Sequence, residues 1–537
     1  MMTHLPEDLT RQAVEIFART SPSLRRNLAQ TARPRVLVGT MRQHYLGSAI
    51  DLVLANALRL HHARVDVLLC DQVMPVCDHR NIDTDTPETC AACWHHSHAL
   101  FTATDLPLCC ISQFLDKTRS TEINALLSSR SRDTWLEMVY LNVRVGQIAY
   151  SSTLRHYLRG RLSQEHHWQK FHQFLVTAMM MAEMSRNLIN HLQPDALLIS
   201  HGLYVTWGVL ADYARQQGIR VTVYGYGYRK NSLLVSQDRT YHHDLLIEPT
   251  ANWRERPFTD AQRKEIMQYL HSRVNGGLDW ISYSPHPQVN RQAVIQQFTL
   301  DPSRPTIGMF TNLAWDAAVL FRGAAFPDMI SWIVETLRWG LEHPEVQLII
   351  RCHPAEVRRK SQTREKIADV IRSAFPELPP HITIIPAEND VSTYTLSELI
   401  DMAVVYSSKI GLEFAARGIP VVVAGEAFYR GKGVTYDPLT KEEYFEQIAQ
   451  VYAQKHSKQV HGTARLPSAD ATELALKYAY HYFFRRHITL PFFADHGVGN
   501  PITQFTFDDL TPLTPGQNVM LDRFCEMVLD GKKIFED

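Results

Sequence analysis

The stretch LQPDALLISHGLYVTWGVLADYARQQGIRVTVYGYG, Leu192 to Gly227, decides the fold class. Ala196 to Ser200 is a short apolar run bounded by Pro194-Asp195 and His201-Gly202, so it reads as a buried strand. A helix follows as far as Gln217, Gly218 caps it, and Arg220 to Tyr224 makes a second strand. A parallel partner strand needs a crossover of a dozen or more residues, and a helix of this length supplies it.

The same grammar recurs upstream and downstream. RPRVLVGT holds a buried run at Val36, Leu37 and Val38; a helix with Ile50, Val53, Leu54 and Leu58 on one face follows, and ARVDVLLC is the next strand. After a Pro-, Asn- and Gln-containing stretch from Ser284 to Arg304 the pattern restarts with RPTIGMFTNLAWD, a strand ending at Thr311. The next helix places Phe326, Met329, Ile330, Ile333, Leu337 and Leu341 on one face. VQLIIRCHP, HITIIPAEND, AVVYSS and IPVVVAGEAFY are then strands, alternating with the helices KIADVIRSAF, YTLSELIDM and KIGLEFAARG. The fold class is α/β, with two doubly wound Rossmann-type domains facing a central crevice. The expected boundaries are residues 1–285 for the first domain, 286–304 for a linker, 305–465 for the second domain and 466–537 for C-terminal helices able to pack across both. The first domain carries a Cys-rich insertion at about 70–110 and a helical insertion at about 134–191.

Length and composition agree with two cores. At 537 residues the chain exceeds one ordinary core, which spans about 150 residues. Its 55 Lys and Arg nearly cancel its 56 Asp and Glu, so bulk charge gives no reason to expect nucleic acid as a partner, and any charged recognition is local. MMTHLPEDLTRQAVEIF lacks the basic and apolar segments of a signal peptide, and FLVTAMMMAEM, Phe174 to Met184, is too short to span a bilayer, so a cytoplasmic protein is expected. Six of the eight cysteines crowd between Cys70 and Cys110. CAACWHHSH offers a CxxC corner, so Cys70, Cys77, Cys90 and Cys93 are candidates for a structural zinc ion. A second CxxC is missing, and packed free thiols are the alternative.

In parallel sheets the informative residues follow the strands. In the second domain these are Thr311-Asn312, Arg351 to His353, Glu388 to Asp390, Tyr406 to Lys409 and Gly425 to Tyr429. Ser407 and Ser408 lie between a buried strand and a helix, where their hydroxyls can cap the helix or meet an anion beside Lys409. Glu413, early in that helix, can accept from a ribose diol or simply complement the helix dipole. Pro354 holds His353 in an extended turn, from which the imidazole, next to Arg351, can donate to phosphate oxygens and assist a leaving group. Glu356, Arg358, Arg359 and Lys360 read as a solvated helix face. In the first domain His201 and Tyr204 occupy a strand end beside Gly202. No carboxylate there stands out as a base, and Asp71 is only a guess.

IIRCHPAE and VSTYTLSELIDMAVVYSSKIGLEFAARGIPVVVAGEAFYRGKG resemble the bacterial capsule polysaccharide biosynthesis proteins, most closely from about Thr306 to Pro438. That family includes Kdo transferases, and its His-Pro and Ser-Ser motifs are similar to those of bacterial sialyltransferases, GT-B enzymes that use CMP-activated acidic sugars. The resemblance implies a GT-B glycosyltransferase, independent of metal for catalysis, that moves Kdo or a related acidic sugar from a nucleotide donor to a capsule or other surface-polysaccharide acceptor. It implies that His353 meets the donor phosphate as the catalytic group, that Ser407 and Ser408 bind the phosphate, and that Glu413 contacts the nucleotide. Arg351, Lys409 and Asn312 complete the donor side, and His201 and Tyr204 belong to the acceptor side. A CMP-sugar is the favoured donor and a glycan or glycolipid the acceptor, with peripheral association at the inner membrane or with a capsule assembly complex. The acidic Asp/Glu-Asp/Glu-Gly motif of the sialyltransferases has no counterpart in the first half. A GT-B-shaped nucleotide-sugar epimerase and a non-catalytic capsule assembly or export component are the competing readings.

Overall fold

The computed structural model describes residues 5–28, 34–41, 45–116, 118–274, 278–280, 287–317, 324–358, 361–456, 469–494 and 504–533. Among these it forms twelve strands: β1 (Arg35–Gly39), β2 (Arg64–Leu69), β3 (Leu108–Cys110), β4 (Ala196–Ser200), β5 (Arg220–Tyr226), β6 (Ser232–Gln237), β7 (Thr306–Phe310), β8 (Gln347–Arg351), β9 (Ile382–Ile385), β10 (Met402–Val405), β11 (Val421–Val423) and β12 (His487–Thr489). The chain divides into two compact units.

The first unit takes residues 1–157, 162–244 and 485–537. Its seven-stranded sheet has the order β12-β6-β5-β4-β1-β2-β3. β1 to β5 are parallel, whereas β6 returns antiparallel to β5 and β12 antiparallel to β6. The parallel strands read from the sequence are all present, and Gly218 holds the expected left-handed turn, with φ of 74°. The order reverses between β1 and β4, the switch point of the sheet.

The second unit takes residues 158–161 and 245–484 around a five-stranded, wholly parallel sheet of order β11-β10-β7-β8-β9. Its strands are fully buried runs except in β9, as expected for a parallel sheet covered on both faces. The helix Met329–Glu342 buries Met329, Ile330, Ile333 and Leu337 as its spacing predicts, with Trp332 beside them donating to the Tyr444 hydroxyl at 2.8 Å. Leu341, expected on the same face, is exposed at the last turn. The switch point of this sheet falls between β7 and β10.

The expected domain boundaries are corrected. The chain leaves the first unit at 244/245 rather than near 285, so residues 245–285 belong with the second sheet. The proposed linker is built into the second unit: Gln288 bridges to Val391 and Asn290 caps a helix at Arg291–Phe298, while residue 286 lies outside the described residues. The C-terminal segment is split. The helix Ala469–Tyr480 belongs to the second unit, and residues from 485 onward return to the first, because β12 finds its free edge partner in β6. A hairpin strand such as β6 carries no crossover helix to announce it.

Candidate functional site

Three adjacent strand ends of the second unit meet around β7. Thr311 follows β7; its backbone N–H donates to the Arg351 carbonyl at 3.2 Å, and its hydroxyl accepts from the His353 backbone N–H at 3.2 Å. Asn312, next in line, donates its amide to the Ser407 hydroxyl at 3.4 Å, which spans the switch point from β7 to β10. The Asn312 side-chain carbonyl oxygen is buried without a hydrogen-bond partner among the described residues. His353 and Ser407 thus stand on either side of Asn312, on strands that are not themselves neighbours.

Pro354 turns the chain, and the backbone N–H of Ala355 donates to His353 Nδ1 at 3.1 Å. With Nδ1 occupied as an acceptor, the proton of the neutral imidazole sits on Nε2, so the ring is set to donate from that atom. The backbone N–H of Glu356 bonds the His353 carbonyl at 3.0 Å and closes the turn.

Arg351 is corrected. Its guanidinium is 3% exposed and spends its donors on the carbonyls of Pro386 (2.7 Å), Asn389 (3.0 Å) and Val391 (3.3 Å). Burial lowers its pKa to about 10. Arg351 therefore braces the loop after β9, and is not a cation offered to a phosphate. Glu356 is corrected as well: it is buried, accepts from the Ile367 backbone N–H at 3.3 Å, and is pushed up to about 8 by burial. Arg358 donates to the Glu388 and Asn389 carbonyls at 3.2 Å, and Arg359 and Lys360 lie outside the described residues.

At the end of β10, Ser407, Ser408 and Lys409 are partly exposed. The helix Ile410–Ala415 begins one residue later than expected, with Lys409 at its N-cap and no side-chain cap, so neither serine hydroxyl is consumed in capping. The Ser408 carbonyl instead accepts from the Tyr429 hydroxyl at 2.6 Å, and this contact requires Gly411: a Cβ there would stand 2.2 Å from that hydroxyl.

Glu413 is the third correction. Expected to meet the nucleotide, it is 0% exposed and both its oxygens are occupied. Oε1 pairs with Lys409 Nζ at 2.9 Å and Arg273 Nε at 3.1 Å, and Oε2 accepts from the Tyr394 hydroxyl. Burial alone would raise this carboxyl, yet the Arg273 and Lys409 charges hold it down at about 2. Lys409 is lowered by burial and by Arg273 while Glu413 opposes the shift. Arg273, Tyr394 and Asp279 went unread in the sequence. Arg273 ends the amphipathic helix Asp260–Ser272, and nothing local marks it as a buried charge.

On the first unit, His201 has a left-handed backbone (φ 57°) and its Nδ1 lies 2.8 Å from the Tyr241 hydroxyl, with the Trp207 ring 5.4 Å away. Tyr204 is buried rather than open at the strand end, and Arg155 stacks on it at 4.8 Å and donates to its hydroxyl at 3.3 Å. Asp71 accepts from the Ser112 backbone N–H at 3.1 Å. The unread carboxylate here is Asp51, which accepts from the Tyr224 hydroxyl at 2.6 Å and is pushed up to about 7 by burial. Cys70, Cys77, Cys90 and Cys93 are half-buried and form no disulfide among the described residues, and burial raises the Cys70 thiol to about 12. Among the described residues no group of three or more His, Cys, Asp or Glu is placed to hold a metal ion, nor is any helix long and apolar enough to cross a membrane.

Residues 232–479 match the family of capsule polysaccharide biosynthesis proteins, which bears out the resemblance carried by IIRCHPAE and the YSSK segment. No curated protein matches the chain. Among solved structures, the chain is similar to the beta Kdo 2,4 transferase of Thermosulfurimonas dismutans KpsC at 15% identity, over 60% of this chain and 87% of that one, with a TM-score of 0.35. The beta Kdo 2,7 transferase of the same protein gives 14% identity, 57% and 83% coverage and a TM-score of 0.31. The UDP-GlcNAc 2-epimerase of Neisseria meningitidis gives 11%, 84% and 96%, and 0.26.

Proposed function

We propose, from the capsule polysaccharide biosynthesis match over residues 232–479, that this protein is a GT-B-type glycosyltransferase. It moves a sugar, Kdo or a related acidic sugar, from a nucleotide donor to a capsule or other surface-polysaccharide acceptor. The observation that carries the reading is the hydrogen bond from Asn312 to Ser407 across the switch point, beside a histidine whose Nδ1 is already held. Ligands of open α/β sheets bind where strand order reverses, and hydroxyl, amide and imidazole donors gathered there suit a phosphate.

In the transfer, the bond between the sugar's anomeric carbon and the phosphate oxygen breaks, and its electron pair stays on that oxygen. The acceptor oxygen forms the new bond to that carbon, and the proton of its hydroxyl passes to solvent water. His353 stabilises the departing phosphate by donating from Nε2, with Ser407, Ser408 and Lys409 sharing the charge. A CMP-sugar is the favoured donor. His201 and Tyr204 remain the acceptor-side proposal, His201 through its imidazole and Tyr204 as the buried support of its turn. A nucleotide-sugar donor places the reaction in the cytoplasm, with the glycan or glycolipid acceptor drawing the protein to the inner membrane.

The test is a donor screen with CMP-, UDP-, GDP- and TDP-sugars, followed by transfer assays with His353→Ala. The variant is expected to lose about 100-fold or more in kcat while its circular dichroism and Tm stay near wild type. Undiminished transfer removes His353 from the chemistry, and isomerisation of the donor with no acceptor present replaces transfer with epimerisation.

A further inference from the structure

The buried charges behind Lys409 form a line of alternating sign. Asp279 pairs with Arg273 Nη1 at 2.5 Å, Arg273 Nε with Glu413 at 3.1 Å, and Glu413 with Lys409 Nζ at 2.9 Å. Asp279, Arg273 and Glu413 are 7%, 8% and 0% exposed, whereas Lys409 is 23% exposed. The line is neutral as a whole, but its most exposed member is the cation, one residue from Ser408. Tyrosines fix the geometry: Arg273 donates to the hydroxyls of Tyr394 at 2.9 Å and Tyr269 at 2.8 Å. Arg417 stacks over the Tyr394 ring at 4.7 Å and donates to the Leu270 carbonyl at 2.8 Å.

An arrangement of this kind is a poor way to gain stability. Each buried ion has a desolvation cost of several kcal/mol, and well-packed apolar residues would often serve the fold equally well. It does control where a positive charge stands. With Glu413 alone, the carboxylate would neutralise Lys409 and hold it inward; with Arg273 sharing the same oxygen, that hold is weakened, and Asp279 balances Arg273 through its Nη1.

We infer that Arg273 is a positioning residue for the donor site, acting through Glu413 to present the Lys409 ammonium to the phosphate of a nucleotide ligand. The inference rests on the transferase reading above. It assigns a role in donor binding to a residue at the C-terminal end of the helix Asp260–Ser272, well outside the strand-end motifs.

The experiment is isothermal titration of the full chain with CMP, and with UDP in parallel, for wild type, Arg273→Met, Arg273→Lys, Lys409→Met and the double variant Arg273→Met/Lys409→Met. Arg273→Met is expected to weaken binding about tenfold and Arg273→Lys to recover most of it. The double variant should bind no more weakly than Lys409→Met alone, because Arg273 acts only through Lys409. Tyr394→Phe, which deletes one hydroxyl, serves should Arg273→Met fail to fold, with a loss of about threefold expected. Additive losses in the double variant, or an unchanged Kd in Arg273→Met or Tyr394→Phe accompanied only by a lower Tm, overturn the inference. Absence of binding of either nucleotide by the wild type rules out CMP- and UDP-sugar donors and overturns this inference as stated, while the four-donor screen above decides the transferase reading separately.

Discussion

Asp51 and Glu413 occupy equivalent places in the two units, each in the helix that follows a strand bordering the switch point of its sheet, and both are buried. Their carboxyls are shifted in opposite directions, with Asp51 pushed up to about 7 and Glu413 held at about 2. Burial raises both. Among the described residues Asp51 has the Tyr224 hydroxyl as its hydrogen-bond donor, whereas Glu413 faces the full charges of Arg273 and Lys409. A neutral donor cannot repay the desolvation of a carboxylate; a contacting cation can. The helix after β10 in the second unit accordingly belongs to a cluster of buried charges. The strand ends of the first unit are a hydroxyl and aromatic environment, with His201 and Trp207 after β4, Tyr224 within β5 and Tyr241 after β6.

The contrast breaks most visibly at Glu413. Glu413→Ala leaves Arg273 and Lys409 buried beside each other, and a loss of about 3–5 kcal/mol in urea denaturation at pH 7 is expected. The wild-type contribution has a definite pH window. Glu413 titrates at about 2 in the folded chain against an ordinary value of 4.5, so its stabilisation is present above 4.5 and lost as pH falls toward 2.

Glu356 sharpens the comparison, since it lies in the charged unit yet behaves like Asp51. Burial raises it to about 8, with Glu388 and Asp369 adding to the shift and the Ile367 N–H and Lys366 opposing it. Because its folded value lies above 4.5, wild-type stability falls as pH rises from 4.5 to 8. Glu356→Gln removes that slope, and the variant should gain about 1–3 kcal/mol on the wild type between pH 5 and pH 8 in paired denaturation curves. A parallel pH dependence in the two proteins would mean that Glu356 is ionised throughout.

Asp51→Asn is the smallest effect and has the same sign. The folded value of about 7 against an ordinary 3.8 means that wild-type stability falls between those pH values. The variant should gain about 1 kcal/mol on the wild type from pH 5 to pH 8, visible as a rising difference in Tm. The opposite trend would place a cation beside Asp51.

The elements of both sheets were legible because buried parallel strands are short continuous apolar runs, and Ala196–Ser200, Arg35–Gly39 and Gln347–Arg351 stand where local pattern puts them. His353, Asn312 and Ser407 were legible as strand-end residues for the same reason. The readings that failed, at Arg351, Glu356 and Glu413, concern where a polar side chain points once its backbone is placed. A charged residue after a strand looks alike in sequence whether it faces solvent or braces a loop. The difference lies in carbonyls such as those of Pro386, Asn389 and Val391, some forty residues away.

The sequence by itself determined the alternation of strand and helix, the presence of two α/β sheets, and the residue types at the carboxyl ends of their strands, because each follows from hydrophobic period and turn chemistry within about ten residues. Tertiary structure alone decided that β7 lies between β8 and β10, and so brings Asn312 between His353 and Ser407. It alone decided that residues 245–285 join the second unit and that residues 485–537 return to the first. The charge state of each buried carboxylate was decided there too. Strand order and ionisation both depend on partners distant in the chain, and in a low-dielectric interior one contacting charge outweighs everything the local sequence prefers.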